Sequence, residues 1–248
     1  MSAAALLLLA DSRLPAGGHA HSGGTEQAVR AGAVHDVASL RAFLVGRLHT
    51  TGVVSAALAA AACRTAGAAP MGGPVSDTAG AAPAGGAAGA FTPGAPLSWA
   101  ELDAEADAVT ASPAQREAAR QQGRLLLRVA RRVWPSDPLE ALALAVPHPH
   151  HPVALGAVAH AAGIAPEAAA TAAAYHAVSG PAAAAVRLLG LDPVEVHRLL
   201  AALAQDLESV ADRAARAARD GPLPAPSAPA LDLLAERHAQ TAQRLFVS

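Results

Sequence analysis

His19 and His21 stand one residue apart in the stretch LPAGGHAHSGGTEQAV, Leu14 to Val29, with Ser22 beside the second and a Gly-Gly pair on either side. Paired imidazoles suit zinc, nickel or copper. A serine next to a histidine raises nucleophilic catalysis, and glycines leading into a helix raise a phosphate cradle. A second histidine group, His148, His150 and His151, lies in PHPHHP. Neither group has the His-Glu-x-x-His helical spacing, and no carboxylate or thiolate nearby completes a ligand set. The PHPHHP stretch therefore reads as a solvated loop between helices. His19 and His21 read as packing or hydrogen-bonding residues, with a metal-binding pair as the alternative.

Ser22, His21 and Asp11 can be written as a triad, but adjacent residues rarely align as nucleophile and base. No Gly-x-Ser-x-Gly elbow surrounds Ser22, and no strand leads into it. All 18 basic residues are Arg, so a P-loop lysine is impossible. The glycines do not follow a strand, as a dinucleotide loop requires. No catalytic, cofactor-binding or metal residue is assigned.

These residues have to be positioned by helices. Of the 248 residues 52% are hydrophobic but only 2% aromatic, and the Ala and Leu that dominate are strong helix formers. A net charge of −2 leaves no basic excess for nucleic acid. Cys63 is the single cysteine, which rules out an intrachain disulfide. The opening MSAAALLLLADSRLP has no basic start and is too short to cross a bilayer, so a cytoplasmic protein is expected.

Ala3 to Ala10 reads as a short apolar helix. Asp36 can cap a helix whose Val37, Leu40, Phe43, Leu44 and Leu48 share one stripe, and Val53 to Cys63 is apolar all round, as a buried helix is. Residues 67–97 are Gly/Ala/Pro-rich without periodicity and are expected to be a flexible insertion. Ser98 with Glu101 spells a capping box, stapled by Leu97 and Leu102. Ser112-Pro113, Asp137-Pro138 and Asp192-Pro193 each set an N-cap before a proline. Ala118, Gln122, Leu125, Val129 and Val133 give the helix after Ser112 its inward stripe.

Further helices are expected over Val153–Ala162, Pro166–Val178, Pro181–Leu189 and Pro193 to about Arg219, with Gly163, Gly180, Gly190 and Gly221 as C-caps. A Pro-rich linker from Gly221 leads to a last amphipathic stretch, ALDLLAERHAQTAQRLFVS. No alternating strand is present. The fold class is all-α: a single globular domain of about ten helices over 1–248, with 221–248 as linker and tail.

Leu6 to Val34 resembles the N-terminal segment of the urease accessory protein F family. That family carries Asp-Ser-x-x-Pro-x-Gly-x-x-x-His-Ser-x-Gly-x-Glu followed by Gly-x-Val, which falls here on Asp11, Ser12, Pro15, Gly17, His21, Ser22, Gly24, Glu26, Gly32 and Val34. Leu102, Asp103, Arg116 and Gly123 fit its central helix pair, HPVALGAVAHAAGI its histidine-led helix, and RLFVS, preceded by His238, its closing motif. His19 departs from the usual aromatic residue and Thr25 from the usual Leu.

The resemblance implies a dimer-forming accessory protein, not an enzyme, without a cofactor, with a histidine-dependent nickel-binding protein as the alternative. Its partners would be the urease accessory protein D/H, the nickel-carrying GTPase G, and apo-urease, which receives the nickel; no nucleic acid or membrane is involved. The partner-binding residues on this reading are His21, Ser22, Glu26, Tyr175, His238, Arg244, Leu245 and Phe246. The tail either orders on a partner, filling its groove with Leu231, Leu234, His238 and Leu245, or folds onto its own domain.

Overall fold

The structure is a computed structural model that describes residues 3–11, 14–15, 18–68, 96–246 and 248, with the side chain of His19 excluded. Among them are twelve α-helices and no strand. The first four are α1 (Ala3–Ala10), α2 (Thr25–Arg30), α3 (Val37–Arg47) and α4 (Val53–Ala68), the last two joined by a π-helical turn, Leu48–Gly52. Next come α5 (Trp99–Ala108), α6 (Pro113–Val133), α7 (Asp137–Ala145) and α8 (His151–Ala161). The chain closes with α9 (Pro166–Leu189), α10 (Pro193–Ala202), α11 (Ala204–Asp220) and α12 (Pro229–Ala239).

The starts follow local chemistry. Asp36 accepts the Ser39 amide, Ser98 the Glu101 amide, Ser112 the Gln115 amide and Asp192 the Val194 amide, so each satisfies an otherwise orphaned donor of a first turn. Leu40, Leu44 and Leu48 are fully buried, as their spacing required.

The centre is α4, wrapped by α8, α9 and α11. Its interior is mostly alanine, and small side chains let backbones close in. A Cβ on Gly156 of α8 would lie 2.1 Å from the Ala59 carbonyl oxygen of α4, so only glycine fits that crossing. The continuous rod Val37–Ala68 is long and apolar enough to span a bilayer, and half of its apolar stretch is buried inside the fold.

Several elements differ from the sequence reading. Pro166–Leu189 is one helix with Pro181 inside it, not two helices capped at Gly180. Pro181 lacks the N–H that Ala177 C=O would accept four residues back; Arg47 of α3 supplies a donor instead, Nε–H to Ala177 O at 2.9 Å. Conversely, the helix expected from Pro193 to about Arg219 breaks at Leu203 into α10 and α11. The inward face of α6 is Gly123, Leu126, Leu127 and Ala130, while Val133 of the expected stripe is 51% exposed. Gly123 decides the register, because a Cβ there would lie 2.0 Å from Pro149 O. α8 begins at His151, so the PHPHHP stretch is only partly a solvated loop: Pro149 and His150 are buried. Of the expected insertion, Gly67 and Ala68 still belong to α4, and residues 69–95 lie outside the described residues.

Candidate functional site: a clasp between the two ends of the chain

Positive φ at Gly23 (60°) and Gly24 (88°) turns the chain from the short 3-10 turn Gly18–Ala20 into α2 and directs Ser22, Thr25 and Glu26 inward. Only glycine adopts such angles without strain. Glu26, 1% exposed, accepts the amides of Leu245 (3.0 Å) and Phe246 (3.0 Å) and one Nη2–H of Arg30 (3.0 Å). Ser22 donates its hydroxyl to Ser248 O at 2.8 Å, and its amide reaches the same oxygen. His21 Nδ1 lies 2.6 Å from Ser248 Oγ. Arg30 donates further to Gln243 O at 2.7 Å. The histidine-serine motif near one end therefore receives the RLFVS segment at the other.

The tail is held along its length. Glu236 of α12 accepts Ser112 Oγ (2.5 Å) and the Ala114 amide (2.9 Å), placing a carboxylate on the α6 N-terminus, where the helix dipole favours it. His238, 2% exposed, lies with Nε2 3.2 Å from Phe246 O. Phe246 is 7% exposed, and the Arg187 guanidinium sits 4.5 Å from its ring centroid. Burial pushes the Glu26 carboxyl upward, but the Leu245 and Phe246 amides, Arg30 and the charge of His238 outweigh it and hold the pKa below 4.5.

Thus His21, Ser22, Glu26, His238 and Phe246 meet in one clasp. Arg244 and Leu245 lie on its outer side, Leu245 being 78% exposed. Tyr175 is elsewhere, on α9, its ring 6.3 Å from that of His176, and α9 is also the helix on which α1 packs.

A second polar cluster links α5, α6 and the loop before α8. Arg120 donates to Asp103 (2.8 Å), Asp107 (2.5 Å) and His148 O (2.8 Å). The His150 amide donates to Asp103 at 2.8 Å, and His150 Nε2 lies 2.8 Å from Asp107. Asp103, Asp107 and His150 bring donor atoms within 4.8 Å of one another, close enough for one cation. Arg120 already neutralises both carboxylates, so a cation would have to displace it. The resemblance had placed Asp103 in the family pattern, but its pairing with Arg120, 17 positions on, carried no local signal. Arg47 was also missed, because its role depends on a proline 134 positions away.

The UreF family model matches residues 34–204, more than half of the chain. The chain belongs to the UreF family of urease accessory proteins. Urease accessory protein UreF of Mycolicibacterium vanbaalenii is 44% identical over 247 residues, covering 100% of this chain and 99% of the relative. The protein of the same name from Mycobacterium sp. strain JLS is 43% identical over 243 residues, 98% and 97% of the two chains. That of Mycobacterium tuberculosis H37Rv is 40% identical over 247 residues, again 100% and 99%. A role in urease maturation follows for this UreF-family chain, as an accessory protein.

Proposed function

We propose that the chain is a cytoplasmic, non-catalytic adaptor that joins the D/H-type accessory protein and the nickel-carrying GTPase to apo-urease and so promotes nickel insertion. The carrying observation is the clasp: it buries the family's N-terminal motif under the tail and leaves Arg244 and Leu245 facing outward. Arginine and large apolar side chains are the types that anchor interfaces. The apolar outer face of α1, with Leu7 72% and Leu8 57% exposed, is the surface we assign to a second copy of the chain.

The test is co-expression with the matching D/H protein, comparing the full chain, a chain ending at Asp220, and Arg244→Glu/Leu245→Glu. Capture by the full chain alone supports the adaptor with its contact on the tail. Capture by all three moves the contact to the helical body, and capture by none from folded samples removes the reading. Leu7→Asp/Leu8→Asp should convert a dimer to a monomer in sedimentation.

A second reading, a histidine-dependent nickel-binding protein, is favoured by the close approach of Asp103, Asp107 and His150. It requires nickel to bind the isolated chain and to be lost in His150→Ala; calorimetry without heat of binding removes it.

A further inference from the structure

Arg47 ends α3 with its side chain turned inward. Nε–H donates to Ala177 O at 2.9 Å and Nη1–H to Gly23 O at 2.8 Å. A guanidinium carries five N–H donors in one plane, and the other three, on Nη1 and Nη2, meet no acceptor among the described residues. No carboxylate of those residues forms an ion pair with it. Burial lowers its pKa to about 10, so it stays charged at neutral pH. Arg47 is part-buried, and a guanidinium whose free donors meet no counter-charge is a ready partner for an anion.

Arg47 lines a cavity of about 640 Å³ between α4, α6 and α12, a volume in the range of small-molecule sites. Thr51, Ser55, Gln122 and Arg244 share its wall. Its carboxylates, Glu117 and Asp232, do not pair with Arg47. A second, independent feature lies on the same wall: His238 is 2% exposed, and its Nδ1 has no hydrogen-bond partner.

We propose that this cavity binds a small carboxylate, held by the N–H donors of Arg47 that Ala177 O and Gly23 O leave free. A guanidinium is a planar fork suited to carboxylate oxygens. Gly23 lets the guanidinium sit close: a Cβ there would stand 3.1 Å from Nη2 and 3.2 Å from Cζ.

The experiment is thermal unfolding of the full chain in acetate or chloride at equal ionic strength. Acetate should raise the midpoint saturably, by roughly 3 °C more than chloride, because it stabilises only the folded state. Thr51 is one turn from Arg47, its hydroxyl donating to Arg47 O at 3.3 Å, so Thr51→Glu sets a carboxylate on the same wall. That variant should melt higher without acetate and lose the acetate increment. Arg47→Gln should lose the increment as well; since it also weakens the support of α9, Thr51→Glu decides the matter if Arg47→Gln does not fold. Equal responses to acetate and chloride, or an increment that survives in Thr51→Glu, overturn the proposal.

Discussion

Phe246 donates its amide to the Glu26 carboxylate across 3.0 Å, although 220 positions separate them. The bond buries an ionised side chain, and it is tolerated because every donor around it is aimed at the charge. Bonds to a charged acceptor are worth about 1.5–3 kcal/mol each, more than neutral ones.

Glu26→Gln should therefore open the clasp before it unfolds the helical body. The expected cost is about 2–3 kcal/mol, and hydrogen exchange should show the amides of Leu245 and Phe246 deprotected while those of α4 stay protected. Acid should act the same way. The folded pKa of Glu26 lies below 4.5, so its stabilisation is complete above that value and is lost as the pH falls through the folded pKa. Exchange at pH 7 and pH 3.5 gives the comparison, and equal protection of the tail at both would remove the carboxylate from this role.

His151 and His176 set a second pH dependence. Their rings are 6.2 Å apart, and burial lowers their pKa values to about 3 and about 4, with His176 and His21 charges adding to the effect at His151. Between 6.5 and those values the unfolded chain takes up protons that the folded chain refuses, so stability falls as the pH is lowered. At pH 5 each histidine should cost about 2 kcal/mol. Urea unfolding at pH 7, 6 and 5 should show this slope, reduced by about half in His151→Gln.

Arg120→Ala should leave the nearly buried Asp103 without its cation. Breaking such a pair costs about 3–5 kcal/mol, and Asp103→Asn in the same chain should recover part of the loss. If the two changes simply add, the cluster is not a coupled unit.

Gly156→Ala should prevent folding, because its Cβ has no space against the Ala59 carbonyl. Gly46→Ala, in α3 with nothing within 4 Å, should instead stabilise by roughly 0.5–1 kcal/mol through helix propensity. Soluble yield and melting temperature of the two variants separate the cases.

What could be read from the sequence was what neighbours in the chain decide. The caps at Asp36, Ser98, Ser112 and Asp192 are local chemistry that the structure has, whereas the cap expected at Asp137 is not there: Asp137 is already inside α7, whose N-cap, Ser136, makes no side-chain bond. The continuity of α9 was not readable, since the cost of Pro181 is offset by Arg47, far away in sequence. The register of α6 slipped because Gly123, silent in a hydrophobic pattern, admits a backbone rather than a side chain. At the site, the resemblance named residues at both ends of the chain, but that Glu26 receives Leu245 and Phe246 is a tertiary fact. Of the two expectations for the tail, the structure has the one in which it folds onto its own domain.

The carboxylate that Glu236 lends to the start of α6 makes the tail part of the body's architecture. Detaching α12 would strand the Ala114 amide and loosen the first turn of a 21-residue helix whose far end pairs Arg131 with Glu140 of α7. The tail therefore bears on the same helix that carries Arg120 of the Asp103–Arg120–His150 cluster.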